Sequence, residues 1–312
     1  MGNAQASSKK EPPPCVPCPD GYYPGNPGTF EELHKKVKEL YPRNFEGVRL
    51  YVKKTLSDYF NAYHTISLSS VTPSGYKFGA CYKGSKRIGL YERYPLMSGD
   101  IMPNGNLAAN FSHTLGCRTR IKHVTQMVDD RCVTSSSTIE YRSDDATTSI
   151  ILADPDFLKQ SGTLVFHYLQ ALTSRLTLGT EIAFHRSRNV PGGQQSIMTV
   201  AMRYSTGPRT FSATLGGVGL HVCYHHKASQ QLQLGVELES NLRTLESSAA
   251  VVYQLDIPHA NMIFRGLVNT ETTISGVLEK KLYPMPETSL FLSAMLNHRK
   301  QQLRVGIGLN IG

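Results

Sequence analysis

From about residue 46 to its end the chain alternates apolar and polar residues with a period of two. Val48, Leu50 and Val52 alternate with Arg49, Tyr51 and Lys53. Leu176, Leu178, Thr180, Ile182 and Phe184 alternate with Thr177, Gly179, Glu181, Ala183 and His185. The same pattern runs through Leu220–Tyr224, Leu232–Glu239 and Val251–Ile257, and closes the chain as Leu303, Val305, Ile307, Leu309 and Ile311 against Arg304, Gly306, Gly308 and Asn310. Such a period places successive side chains on opposite faces of a strand. Turn signals separate the runs: Pro73-Ser74-Gly75, Pro103-Asn104-Gly105, Pro191-Gly192-Gly193 and Gly207-Pro208.

The polar face of each strand meets bulk water or a wet lumen, and the apolar face meets a protein core or lipid. Two observations choose between these. The runs are roughly nine or ten residues long, which suits a tilted membrane strand better than a soluble one. No helices follow residue 46 to cover so much apolar surface. Residues 46–312, at roughly 14 per strand and turn, give about 19 strands. Only a closed ring satisfies every backbone group in lipid, so the expected fold is all-β: a single transmembrane β-barrel with a polar interior. No apolar run reaches the roughly 18 residues of a membrane helix, which excludes a helical membrane protein.

Upstream the sequence divides twice. Residues 1–28 hold Pro12, Pro13, Pro14, Pro17, Pro19, Pro24 and Pro27 and read as a disordered, Pro-rich tail. Residues 29–44 read as a helix and linker, and 45–312 as the barrel. Thr29 and Glu32 form a capping box, Phe30, Leu33, Val37 and Leu40 recur at helical spacing over about three turns, and Pro42 ends the helix. His34, Lys35, Lys36 and Lys38 fall on its surface. So short a helix must dock on another element.

The remaining features exclude more than they assign. Of the cysteines at 15, 18, 81, 117, 132 and 223, only Cys15 and Cys18 form a close pair, with no second ligand pair to complete a zinc site, so free thiols are expected. His221, Cys223 and His225 form a strand stripe with no matching carboxylate or His motif nearby, so neither a metal nor a cofactor is expected. No phosphate loop or nucleophile elbow is present, and the acid pairs Asp129-Asp130 and Asp144-Asp145 have no partner base, so no enzyme is expected. The 33 Lys and Arg against 24 Asp and Glu leave a net charge of +9, but the basic residues are scattered, which argues against nucleic acid. The opening residues show no secretory or transit pattern. Met1-Gly2 raises myristoylation, but the expected hydroxyl is displaced, with Ala6 before Ser7.

Collinear segments then point to a family. Asn26-Pro-Gly-Thr-Phe-Glu-Glu-Leu-His34 and Phe45-Glu-Gly-Val-Arg-Leu50 resemble the opening of the channel-forming subunit of the mitochondrial outer-membrane protein translocase (the TOM complex), a divergent branch of the mitochondrial porin superfamily. The resemblance continues through Glu140-Tyr-Arg-Ser-Asp144, Phe166-His-Tyr-Leu-Gln170, Tyr224-His-His-Lys-Ala228, Leu232-Gln-Leu-Gly-Val-Glu-Leu-Glu239, Phe264-Arg-Gly-Leu-Val268, Leu278-Glu-Lys-Lys-Leu282, Leu296-Asn-His-Arg-Lys300 and Gly306-Ile-Gly-Leu-Asn-Ile-Gly312. It implies a 19-stranded barrel in the mitochondrial outer membrane that conducts unfolded precursor polypeptides, with the N-terminal helix in the lumen. It also implies partners: receptor and small TOM subunits, outer-membrane lipid, and a homo-oligomeric arrangement of barrels. Arg304, Gly306, Leu309 and Ile311 match the family's C-terminal assembly signal.

Precursors carry basic presequences, which inward acids would attract at many weak points. The candidates for that contact are Glu181, Glu237, Glu239, Asp256 and Glu279 by parity, with Asp100 and the loop acids Asp129 and Asp130 at a vestibule. The opposing reading has these acids paired with inward cations as a wet wall. The chain departs from the family at Ala153-Asp-Pro-Asp156, Pro191-Gly-Gly-Gln-Gln195, Asp100-Ile-Met-Pro-Asn104 and Thr270-Glu-Thr272, and has no Trp. These changes remove acids and imply a divergent paralogue with altered precursor preference. The alternative function is a porin-type anion or metabolite channel, which a basic lumen would favour.

Overall fold

The alternation becomes one continuous sheet of nineteen strands. The computed structural model describes residues 25–71, 74–88, 92–129, 131–156, 160–187, 192–283 and 287–312. The expectations for residues 1–24, including Gly2, Cys15 and Cys18, and for Pro73, Asp130 and Pro191, lie outside those residues.

The first strands are β1 (Gly47–Thr55), β2 (Phe60–Leu68), β3 (Gly75–Ile88), β4 (Glu92–Ile101), β5 (Leu107–Leu115) and β6 (Thr119–Val128). There follow β7 (Arg131–Arg142), β8 (Ala146–Asp156), β9 (Ser161–Ala171), β10 (Leu176–Arg186), β11 (Gln194–Thr206), β12 (Arg209–Gly216) and β13 (Gly219–Lys227). The last are β14 (Leu232–Asn241), β15 (Glu246–Ile257), β16 (Met262–Asn269), β17 (Thr273–Lys281), β18 (Ser289–Asn297) and β19 (Gln302–Ile311). Each pairs antiparallel with the next, and the ring closes where β1 and β19 run parallel, in register from Gly47↔Gly306 to Val52↔Ile311. The parallel seam follows from the odd strand number, and closure leaves no sheet edge unpaired.

Local chemistry explains the corners. The Pro103-Asn104-Gly105 turn puts Gly105 at φ 85°, and its N–H donates to Met102 O at 3.0 Å. Asp154 sits at φ 48° where the β8–β9 register shifts between Ala153 and Asp156, and its carboxylate accepts from Ser135 N–H at 2.7 Å. Asp is among the few residues other than Gly that tolerate this region.

The outer face is apolar and exposed. On β19, Leu303, Val305 and Ile307 are 67%, 54% and 50% exposed, while Gly306 between them is buried. On β11, Met198, Val200, Met202 and Tyr204 point outward and Ala201 inward. A ring of exposed apolar side chains of this extent is stable only against lipid. Among the described residues no helix is long and apolar enough to cross a membrane.

Inside lies the N-terminal segment. The expected three-turn helix is shorter and broken: a 3-10 turn at Phe30–Glu32, then α1 at Lys35–Lys38, joined through Leu33 and His34. Docking overrides helical continuity, because the segment's apolar side chains reach separate patches of the wall. Leu33 packs with Leu169 and Ala201, flanked by Phe30, and Val37 and Leu40 pack with Cys223 and Val252. Burial of each such side chain contributes about 1.5–3 kcal/mol. His34, expected on the helix surface, is instead buried against β12 and β13.

Candidate functional site

The site is the inner wall around β8–β16 together with the segment docked on it. Residues 26–28, assigned to the tail by composition, hold the start of that segment. Asn26 Nδ2 donates to the carbonyls of Ser143 and Ala146 at 2.7 and 3.2 Å, and Arg203 donates to Pro27 O at 2.6 Å. Thr29 N–H donates to Glu32 Oε2 at 3.1 Å, which is one arm of the expected capping box. Burial opposes ionisation of Glu32, but that hydrogen bond and Lys35 outweigh it and hold the carboxyl below its usual range. Phe30 stacks on His167, with ring centroids 4.6 Å apart.

Further along, α1 lies over β12–β15. Lys36 donates to Thr210 Oγ1 at 2.8 Å, and burial, with Arg203 nearby, lowers its pKa. The Tyr41 hydroxyl donates to Glu237 Oε2, and burial followed by that carboxylate raises the phenol's pKa. His34 Nδ1 lies 2.9 Å from Ser212 Oγ, and its ring tilts over His221 at 4.2 Å. Burial, then His221 and Lys38, push His34 down to about 4, so it is neutral at physiological pH. Gly235 makes this approach possible: a Cβ there would stand 2.7 Å from Val252 Cγ2 and 3.2 Å from both Leu40 Cδ1 and Val37 Cγ1.

The six expected acids all reach the inner wall, mostly in pairs. Glu181 Oε2 is 2.7 Å from His167 Nε2, and Glu237 Oε1 is 2.5 Å from His221 Nε2. Glu239 is 3.6 Å from His221 and largely exposed. Asp100 pairs with Lys77 at 2.5 Å and accepts from Tyr63, and Glu279 is 3.8 Å from Arg265. Asp256 has no ionic or hydrogen-bonding side-chain partner among the described residues. Asp129 is exposed in the β6–β7 turn. Sequence reasoning missed Glu140, a buried carboxylate on β7 between Lys122 at 2.5 Å and Arg142 at 3.5 Å. Its place in the alternation, with Lys122 on the adjacent strand, was the available signal.

The assembly-signal residues lie on the closing strand. Arg304 faces Glu46 at 3.8 Å, and Gly306 lies under Phe45, whose carbonyl oxygen would be 2.4 Å from an added Cβ. Leu309 and Ile311 share the outward parity of Ile307. Among the cysteines, Cys81, Cys132 and Cys223 are free, but Cys117 is disulfide-bonded, which corrects the expectation of free thiols. The expectation that no carboxylate or further His stands near the His221–Cys223 stripe is also overturned. His34 and Glu237 both stand beside it, brought from a distant segment and from the neighbouring strand.

A closed ring with an apolar belt, a charged inner wall and a docked N-terminal segment defines a membrane channel barrel of the mitochondrial porin class. The sequence profile of the eukaryotic porin family matches residues 26–306. The chain is 46% identical over 287 residues to the Drosophila melanogaster mitochondrial import receptor subunit TOM40 homolog 2, covering 92% of this chain and 84% of that one. It is 41% identical to the Xenopus laevis TOM40 homolog over the full length of both, and 44% identical to the human TOM40 homolog over 92% of this chain and 78% of that one. The chain therefore belongs to the eukaryotic porin family, and within it to the TOM40 group of mitochondrial import subunits.

Proposed function

We propose that this chain is the protein-conducting channel through which unfolded precursor polypeptides cross the mitochondrial outer membrane as part of the TOM complex. The observation that carries the reading is a lipid-facing closed ring with a short segment docked on its polar inner wall, in a chain 41–46% identical to curated import subunits over most of its length. Basic presequences meet the inner wall, where Asp256 and the exposed Glu239 offer negative charge that no strong ion pair consumes. Weak attraction at many points moves a chain through, whereas one tight site would stop it. The receptor and small TOM subunits, outer-membrane lipid and a second barrel are the partners of this reading. The paired state of Asp100, Glu181, Glu237 and Glu279 supports a divergent member with weakened presequence attraction.

The test is precursor import into mitochondria whose resident channel subunit is replaced by this chain, alongside nucleotide flux through the purified barrel in liposomes. Import of a presequence-bearing precursor and co-migration with TOM subunits on native gels are expected. Nucleotide flux without import would instead establish the metabolite-channel reading.

A further inference from the structure

The buried corner where the docked segment meets β13 and β14 holds more chemistry than packing requires. His221 and Cys223 are two apart on β13, so both point inward. Cys223 is fully buried, and its Sγ lies 3.3 Å from His221 Nε2. Glu237, directly across on β14 from Cys223, places Oε1 2.5 Å from the same nitrogen. His34 arrives from the N-terminal segment. It is 7% exposed, Ser212 holds its Nδ1, and its buried Nε2 has no hydrogen-bond partner among the described residues. One donor atom from each of His34, His221 and Cys223 lies within 4.8 Å of the other two.

We propose that His34, His221 and Cys223 form a binding site for a zinc-class divalent cation that clamps the N-terminal segment to the barrel wall, with Glu237 beside it against His221. Two imidazoles and a thiolate are zinc-type donors that leave a fourth position for water, and tetrahedral zinc separates such donors by about 3.5 Å. The 3.3 Å between Cys223 Sγ and His221 Nε2 already matches. The closer His221–Glu237 contact is a hydrogen bond that opens as the His221 proton moves to Nδ1 and Nε2 takes the metal. Binding releases the Cys223 thiol proton, which leaves to solvent. Ser212 fixes the His34 ring with Nδ1 as its donor, leaving the Nε2 lone pair for the metal, as outer partners of metal-bound His commonly do. A cavity lined by Tyr41, Glu237 and Glu239 borders this corner on the side of Glu237. The site rests on side-chain geometry alone and is independent of what passes through the bore.

The test uses the full chain, folded in detergent and stripped with chelator, with cobalt(II) as the probe. One equivalent is expected to bind with tetrahedral ligand-field absorption and a thiolate charge-transfer band, both displaced by zinc. Cys223→Ser abolishes the thiolate band, a variant keeping Cys223 as its only cysteine retains it, and His34→Ala weakens binding at least tenfold, in line with the roughly 10–100-fold effects seen around metal sites. Zinc is also expected to slow backbone hydrogen exchange at residues 33–41 in the unmodified protein. The proposal is overturned if the folded chain binds no cobalt, if the band survives Cys223→Ser, or if His34→Ala binds as tightly as the unmodified chain.

Discussion

A methyl group on Gly235 would stand 3.2 Å from Cγ1 of Val37. The wall strand gives up a side chain so that the docked segment can touch the backbone beneath it. Gly235→Val fills that space, and overpacking of this kind costs about 1–3 kcal/mol. The docked-to-free ratio of the segment should fall by about 5- to 150-fold, with Gly235→Ala between Val and the unmodified chain. Hydrogen exchange at residues 33–41 reads this directly, while the heat resistance of the barrel, where Val252 must also shift, should fall less than the docking does. Equal loss of barrel stability would show that Gly235 serves the sheet rather than the segment.

Glu140 predicts the opposite division. It is buried between Lys122 and Arg142 and, among the described residues, makes no hydrogen bond or ion pair with the docked segment. Glu140→Gln removes the nearest counter-charge of two cations that still feel Glu32 and keep some access to water, so the cost is about 1–3 kcal/mol rather than that of a fully buried pair. The thermal midpoint of the folded barrel should drop. Adding Lys122→Met should restore most of the loss, and a double-mutant cycle showing no coupling would remove Glu140 from the stabilising network.

The strands were legible because one face of each meets lipid and the other water, so alternation had to be written into the sequence. Runs read at 176–184, 232–239 and 303–311 became β10, β14 and β19 with ends within a few residues. Length alone set the strand number at about 19; the odd count, and with it the parallel seam, was what the family resemblance implied. The N-terminal segment was less legible. Leu33, Val37 and Leu40 read as one apolar stripe, but they fall in two separate clusters and the helix breaks at His34 because two wall patches capture the segment separately. The meeting of His34 with His221 was illegible for a different reason. It joins positions almost two hundred residues apart through barrel closure, and no local period encodes that. Parity grouped the acids on one face of their strands, but their pairing depended on cross-strand register, which alternation leaves open.

Asp256 and Glu279 both face the lumen, yet among the described residues only Glu279 has a cationic neighbour, Arg265 at 3.8 Å. Neutralising them should therefore act differently. Asp256→Asn removes an unpaired negative charge and should raise the dissociation constant of a basic presequence peptide by about two- to fivefold, the effect of one screened charge at a wet surface. Glu279→Gln instead releases Arg265 and should move ion selectivity toward anions with a smaller change in peptide block. Single-channel recordings supply both readouts, from reversal potential and from peptide-induced closures. Identical behaviour of the two variants would mean that local pairing does not govern lumen charge.

Gly306 separates closure from recognition on the last strand. A Cβ there would meet Phe45 O at 2.4 Å and the Phe45 ring at 2.8 Å, whereas at Gly308 the nearest contact, Phe45 Cζ, is at 3.0 Å. Gly306→Ala must push Phe45 off the wall beside the β1–β19 seam, while Gly308→Ala needs a shift of only a few tenths of an ångström. The first should lower the thermal midpoint of the inserted barrel clearly more than the second. Leu309→Ala and Ile311→Ala lie on the lipid-facing parity of β19, away from Phe45, so they leave that packing intact. If these positions serve as an assembly signal, both should slow the appearance of carbonate-resistant barrel in isolated mitochondria while the barrel that does insert keeps nearly the unmodified midpoint. Should all four substitutions lower midpoint and insertion rate in the same proportion, the closing strand acts through stability alone and its signal role falls.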